Sequence, residues 1–418
     1  MKIHLDLDSF FISAERIKNP KLRDIPAAVG GRGDPFIFDK KGQKKVEIEQ
    51  KNEGAFVPNI FYNSNTTFKN YFVEGKKIRG IIITASYEAR KYGIKTGMSI
   101  KEALNIYPKL IVVPPNHLYY HSLSHELKNF LEKKIPLVEQ FSIDEFFGDL
   151  SGYIEEKDIE IFLKSLQKEI KEKFELPISI GAAKSKWIAK LATSFAKPNG
   201  IKIVKDVENF IRDIPIEEFP GIGKGFAKRL NRLKIFNLGD IKNAKSLFYS
   251  WKTPGITLYK RVLGIDNEPI LTSHPRKSIG ISRTIDPLKN REEIKRRVII
   301  MSRFLAYSIE KLNLFPSYYY FSIKYDFKEK SKSHKRVLKP FNEKLLKDIM
   351  IDLFQKSDIY PYSNIIRLSM SCSKFYDKKI FDILSYKEDI KQHNLSIQNM
   401  KIRNRYGTDI LKWGIEMI

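Results

Sequence analysis

The stretch HLDLDSFF, residues 4–11, places the tightest constraint on the fold. Residues 2–8 alternate: Ile3, Leu5 and Leu7 share one face, and His4, Asp6 and Asp8 share the other. Such a segment is a strand with one side against a core and two carboxylates on the opposite side. A helix follows from Ser9 to about Lys18, with Asp8 or Ser9 as its cap. The aspartates therefore have two readings, a capped helix start and half of a metal site.

Further along, IRGIIIT reads as a buried strand and SYEARKYGI as a helix that Ser86 caps. LVEQFSIDEFFGDL reads as two short strands hinged at Ser142-Ile143. A helix over about 156–173, the strand PISIGAA and a helix from Ser185 to Lys197-Pro198-Asn199-Gly200 follow. Residues 206–268 read as short helices broken by Gly and Pro, and 269–277 as a basic linker. The next hundred residues spell β-α-β-β-α-β, with both helices expected on one face of a sheet. Residues 35–78 change texture, with a hairpin expected around Lys41-Gly42, and 375–418 form a lysine-rich tail with one helix. The chain is thus α+β and multidomain.

Charge narrows the partners. The 418 residues hold 75 Lys and Arg against 49 Asp and Glu, a formal +26. That excess fits a polyanion, because each neutralised phosphate releases counterions; a merely Lys-rich proteome gives the same balance. The one cysteine, Cys372, excludes an intramolecular disulfide and a Cys-based zinc site, and its strand setting reads as core. No apolar run is long enough to span a bilayer, and no signal peptide is expected before the first strand. The expected location is the cytoplasm, in association with the nucleoid, with no membrane partner.

Two places carry chemistry. Asp6 on the first strand and Asp144-Glu145 in FSIDEFF could converge, and close-packed carboxylates are costly unless cations join them. Either pair alone reads as a helix cap or a polar turn; on neighbouring strands flanked by apolar residues the two together favour a site. In FPGIGKGFAKRL, Gly221 and Gly223 allow a tight turn whose backbone N–H groups reach a phosphate, with Lys224 and Lys228 just beyond. That is the hairpin of a helix-hairpin-helix unit, a DNA binder without sequence preference.

In this order the pieces resemble the Y-family translesion DNA polymerases, most closely the bacterial DNA polymerase IV branch. HLDLDSFFISAE resembles the family's first motif, TASYEARKYGIKTGM its fingers motif and FSIDEFFGDL its second acidic motif. GAAKSKWIAKLATSFAKPNGIKI is similar to its palm helix, PGIGKGFAKRL to its thumb hairpin and RKSIGIS to the entry into its little finger. The resemblance implies a right-hand polymerase. Its parts are a ferredoxin-like palm (1–18 and 117–205), small fingers (19–116, with an insertion at about 35–78) and a helix-hairpin-helix thumb (206–268). The linker 269–277, a βαββαβ little finger (278–374) and the tail complete it.

The resemblance further implies that Asp6, Asp144 and Glu145 are catalytic and bind two Mg²⁺, helped by the carbonyl of Leu7. Tyr87, Arg90 and Lys197 would hold the dNTP triphosphate, with Thr84 as a weaker contact and the backbone N–H groups of Ser9, Phe10 and Phe11 adding to the cradle. The Phe11 ring would exclude a ribose 2′-OH, and the Phe10 side chain would be core. Lys197 also has a sufficient structural role, as a cation closing a helix. Primer–template DNA would lie along Gly221, Gly223, Lys224, Lys228, Arg276, Lys277, Arg283, Lys335 and Arg336, the little-finger residues presenting an open sheet face. The enzyme would act as a monomer of low fidelity without a proofreading exonuclease. KKIFDIL, 378–384, has the hydrophobic spacing of a sliding-clamp peptide but no leading Gln, so a clamp contact and plain packing of the tail are both open readings. Two rival readings are a cyclase-like palm enzyme and a silent DNA-binding scaffold; the thumb hairpin and the filled acidic positions argue against them.

Overall fold

The computed structural model describes residues 1–33, 37–38, 45–47, 60–62, 67–273, 275–376 and 386–417, with 45–47 and 60–62 as backbone alone. It divides into two compact units, residues 1–30 with 81–274, and residues 31–80 with 275–418. Among the described residues no helix is long and apolar enough to cross a membrane.

The first unit begins β1 (Lys2–Leu7), α1 (Phe10–Lys18), β2 (Ala27–Gly31), β3 (Ile81–Ala85), α2 (Tyr87–Lys91) and α3 (Ile100–Ile106). It continues β4 (Ile111–Val113), α4 (His117–Leu131), β5 (Leu137–Gln140), β6 (Glu145–Asp149), α5 (Ile159–Phe174) and β7 (Ile178–Ala183). Then come α6 (Lys186–Ala196) and β8 (Ile201–Ile203). Strands β8-β7-β1-β6-β5 make one sheet and β3-β2-β4 a smaller one. Ile3, Leu5 and Leu7 of β1 enter a core with α4 and α5, as the alternation dictates. The opposite face of β1 is covered by α6. Gly181 makes this possible, because a Cβ there would sit 2.1 Å from the carbonyl oxygen of Ala189. Short helices close the unit: α7 (Val207–Ile211), α8 (Lys224–Arg232), α9 (Lys245–Ser250) and α10 (Lys252–Val262).

The second unit contains β9 (Ser278–Leu288), α11 (Arg291–Lys311), β10 (Pro316–Tyr325), β11 (Lys330–Arg336), α12 (Glu343–Ser357), β12 (Ile365–Phe375) and α13 (Tyr386–Tyr406). Its sheet order is β9-β12-β10-β11. The two units thus share β-α-β-β-α-β order but not topology. In the first unit the fourth strand, β7, pairs only with β1 among those four; in the second it separates strands one and two. Residue parity assigns the two sheet faces. Tyr319, Phe321, Ile323, Leu368, Met370 and Cys372 face the helices, and Ser282, Ser322, Lys324, Lys332, Arg336, Arg367 and Ser369 lie on the other side.

Parity corrects the open-face expectation for two residues. Arg283 is directly opposite core Leu368, so its side chain starts on the helix-covered face. Lys335 reaches back to Asp352 of α12, with Nζ to Oδ2 3.3 Å. Arg336 keeps the open face.

The described residues of the insertion belong to this unit. Ile37 is buried against Ile300 and Phe304 of α11. Arg296 donates to the carbonyl of Phe38 at 3.0 Å, and the Arg297 guanidinium lies 4.9 Å from the Phe38 ring centroid. Arg79, at the far end of the insertion, donates to both Asp286 carboxylate oxygens at 2.5 and 2.7 Å. Backbone 45–47 pairs antiparallel with 60–62; Lys41 and Gly42, where a hairpin turn was expected, lie outside the described residues.

The tail is equally integrated. Arg303 of α11, buried, binds Glu416 and Asp409, and Arg403 of α13 pairs with Glu343 at the start of α12. Trp413 Nε1 donates to Glu343 at 2.7 Å and stacks under Lys347. The expected clamp segment 378–384 lies outside the described residues.

Two stability predictions follow from this packing. Ile37→Ala should destabilise the protein by about 2–4 kcal/mol in chemical denaturation, the cost of emptying a buried aliphatic site, whereas a solvent-exposed hairpin residue would change it by under about 0.5 kcal/mol. The second concerns Glu310 on α11. Burial pushes its carboxyl up to about 8 from 4.5, with Glu343 adding to the rise while Ser396 and Arg403 oppose it. Below the lower value both folded and unfolded chains carry the proton; between the two only the unfolded chain releases it, so stability falls as pH rises and levels off above about 8. Glu310→Gln should therefore melt higher than the parent at pH 8, with the difference shrinking towards pH 5.

Candidate active site

Pairing in the first sheet sets Asp6 of β1 directly opposite Glu145 of β6. Directly opposed residues share a sheet face, so both carboxylates project to the side covered by α6. Asp144 immediately precedes β6, and its carbonyl accepts from the N–H of Leu7 at 3.0 Å. The three sequence-predicted acids are thus brought to the adjoining ends of the inner strands β1 and β6, next to Leu7.

Helix α6 answers this charge. Lys186, Lys190, Thr193 and Lys197 follow one another at helical spacings of four, three and four, and form a single stripe. Lys197, just past the helix, pairs with Asp6 (Nζ to Oδ2 2.6 Å), and Lys190 pairs with Glu145. Lys186 sits in a buried ion pair with Glu139 of β5, at 2.6 Å. Thr193 bonds the ring of buried His4, with Oγ1 to Nδ1 2.9 Å, and Lys190 Nζ lies 3.4 Å from His4 Nε2. Burial and the three neighbouring lysines hold the His4 imidazole well below its ordinary range, hence neutral. A neutral ring donating from Nδ1 to Thr193 leaves Nε2 as the acceptor facing Lys190.

Burial raises the carboxyl of Asp6 to about 7; Asp144 and Glu145 add to this, and Lys197 pulls the other way. Asp144 is raised too, by burial, against the hydrogen bond from Ser142 at 2.8 Å. Among the described residues no three His, Cys, Asp or Glu side chains already sit close enough to hold a metal ion. Lysine pairing accounts for the open arrangement. The donor set nevertheless fits hard divalent cations, being all carboxylate and carbonyl oxygen and unfavourable to crowd without added positive charge.

Strand β3 and helix α2 carry further expected contacts. Ser86 caps α2, its Oγ accepting from the N–H of Ala89 at 3.2 Å, which places Tyr87 on the first turn. The exposed Arg90 donates to the Ala85 carbonyl at 3.1 Å, with its guanidinium 4.8 Å from the Tyr87 ring centroid. Thr84 is half-buried on β3, one residue before Ala85. Phe10 is buried in the core, whereas Phe11 is half-buried and stacks on Tyr120 of α4, centroids 4.5 Å apart. Tyr120 is itself fixed by donating to Glu15 at 2.7 Å. In the turn before α8, Gly221 has φ +107, a conformation L side chains rarely adopt, and Gly223, Lys224 and Lys228 are exposed around the same turn. Arg276 is half-buried and Lys277 exposed before β9.

One expectation fails. Neither Asp8 nor Ser9 caps α1 with its side chain; Ser9 adopts a left-handed conformation, φ 47, and its Oγ donates to the Ala85 carbonyl at 3.2 Å. The Asp8 carboxylate is buried and engaged elsewhere, by Tyr87, Ser179 and Asn199. Sequence reasoning also missed Lys190, Thr193, the Lys186–Glu139 pair and Tyr120. The lysine spacing in KWIAKLATSFAK was the available signal.

Comparison with known proteins agrees with this geometry. Residues 5–194 match the impB/mucB/samB family, 204–235 the IMS family HHH motif, and 276–383 the impB/mucB/samB family C-terminal domain. DNA polymerase IV of Streptococcus mutans is 31% identical over 74% of this chain and 74% of its own length. DNA polymerase IV 1 of Halalkalibacterium halodurans is 29% identical over 99% of this chain and 92% of its own. A Y-family DNA polymerase chimera of Dbh and Dpo4 superposes with a TM-score of 0.72 at 24% identity, covering 90% of this chain and 99% of that one, a likeness of fold. The mixed α/β units, the hairpin and these relatives agree: the chain belongs to the Y-family of translesion DNA polymerases, in the bacterial DNA polymerase IV branch.

Proposed function

We propose that this translesion DNA-directed DNA polymerase adds dNTPs to a primer 3′-OH at the ends of β1 and β6, with Asp6, Asp144 and Glu145 as its catalytic acids. The observation that carries the reading is the opposition of Asp6 and Glu145 across β1 and β6 beneath a lysine stripe. Two Mg²⁺ held by Asp6, Asp144, Glu145 and the Leu7 carbonyl would supply Lewis-acid polarisation and neutralise developing phosphate charge. The chain's own groups bind and orient. Lys197 and Arg90 donate to the triphosphate, Tyr87 stands beside them, and the first-turn N–H groups of α1, unused within the helix, face the same strand ends. Thr84 is a further candidate there.

Phe11 serves as the sugar selector. The stack on Tyr120 favours the ring orientation in which a 2′-OH would meet it. DNA contacts come from the thumb turn at Gly221 and Gly223 with Lys224 and Lys228, and from Arg276 and Lys277 before β9. In the second unit the open sheet face carries Lys324, Lys332, Arg336 and Arg367 over a floor of Ser282 and Ser369. Such a face grips phosphates without reading bases.

Primer extension with Mg²⁺ and dNTPs tests the assignment. Asp144→Ala should slow insertion more than about a hundredfold, the loss of several kcal/mol of charge stabilisation, with primer–template affinity retained; extension unaffected by the substitution would refute the site. Phe11→Ala should raise incorporation of ribonucleotides relative to deoxyribonucleotides by at least about tenfold, measured by competitive single-nucleotide insertion. Unchanged sugar selectivity would remove Phe11 from its role.

A further inference from the structure

Asp8 is the fourth carboxylate at this end of the palm sheet and the one that the proposed chemistry leaves without work. Its side chain is 1% exposed. Oδ1 accepts from the Tyr87 hydroxyl at 3.1 Å; Oδ2 accepts from Ser179 Oγ at 2.8 Å and from the backbone N–H of Asn199 at 2.6 Å. These three donors come from three separate elements: the first turn of α2, strand β7, and the turn that follows α6. A buried carboxylate that accepts three hydrogen bonds fixes its partners firmly, because losing it strands several donors away from water.

Two of those partners bear on the triphosphate. Tyr87 is one of its expected contacts, and Asn199 lies two residues beyond Lys197, in a turn where Asn199 itself has φ 51. We infer that Asp8 is the positioning residue of the triphosphate site: one carboxylate holds both the Lys197 turn and the Tyr87 ring to the strand end that presents Asp6. The inference rests on the triphosphate reading of Tyr87 and Lys197 above. Asp8 itself touches neither nucleotide nor metal. While Tyr87 donates to Asp8 its single hydroxyl proton is committed, so the hydroxyl donates to a phosphate only by leaving Asp8. Lys197 and Arg90 need no such exchange, which makes the Lys197 turn the more important of the two arms.

The test uses the full chain in single-turnover insertion, reading the dNTP concentration for half-maximal rate, the maximal rate, primer–template affinity and Mg²⁺ half-saturation. Asp8→Ala should raise half-saturating dNTP about tenfold to a hundredfold, the range expected for stranding buried donors, with the other three readings within about threefold. Asp8→Asn, which keeps one acceptor oxygen, should give a smaller rise, and it carries the test if the alanine variant does not fold. In a Lys197→Ala background Asp8→Ala should add far less than it does in the parent, since both act through one contact.

Equal loss in all four readings, or a lowered melting temperature with half-saturating dNTP unchanged, would make Asp8 a structural residue and overturn the inference, provided Lys197→Ala and Tyr87→Phe raise half-saturating dNTP. If those two also leave it unchanged, the triphosphate assignment fails and takes the inference with it.

Discussion

The opposition of Asp6 and Glu145 across β1 and β6 sets the terms for the first unit. Carboxylates brought to the adjoining ends of two inner strands repel, and burial denies them the water that would screen the repulsion. Something cationic must lie over them, and α6 supplies it through Lys190 and Lys197 at i and i+7. The helix can come close enough only because Gly181 offers no Cβ to its backbone. Strand register, helix packing and charge balance are therefore one arrangement. Lysine is suited to it, since an ammonium on a flexible stem can leave a carboxylate to a divalent cation and turn to a phosphate nearby.

Much of this was legible from residue patterns. Alternation placed Ile3, Leu5 and Leu7 in the core and Asp6 opposite it, and the SIDE segment placed Asp144 and Glu145 at a strand start. Long-range partners were not legible. Local pattern cannot say that Asp8 finds Asn199, that Tyr120 backs Phe11, or that Glu139 is buried against Lys186. Each joins residues far apart in sequence, and only the assembled sheet order brings them together. Arg283 shows a different kind of miss. It shares parity with Ile279, so alternation alone would have put it on the helix side.

The second unit shows how an insertion and a basic tail become structure. Both read as surplus in sequence, being polar, Lys-rich and outside the recurrent motifs. Ile37 and Phe38 nonetheless give the insertion an apolar foothold on α11, and Arg296 satisfies a carbonyl that this burial would otherwise strand. The tail relies on charge: Arg303 with Glu416 and Asp409, Arg403 with Glu343. Buried pairs of this kind add little net stability compared with apolar packing, but leaving one partner alone is costly. They specify where the tail lies more than they hold it there. The described residues Ile37, Arg403 and Glu416 of these segments meet α11 or α12, whereas Lys324, Lys332, Arg336 and Arg367 lie on the other face of the sheet.

HLDLDSFF contains two aspartates of the same parity whose surroundings give them different work. Burial, with two neighbouring acids, raises the Asp6 carboxyl against the pull of Lys197, and its charge calls for a cation. Asp8 meets three neutral donors, a phenol, a hydroxyl and an amide, which satisfy a carboxylate without any counter-ion. A carboxylate satisfied in this way has no need of a metal, and it can fix geometry beside a metal site without competing for the ion. The two acids thus differ within a few residues: one is held by a cation, the other by neutral donors alone. The spacing of two along a strand end provides them on one face, because the strand stops at Leu7 and the left-handed Ser9 turns the chain away before a third could follow.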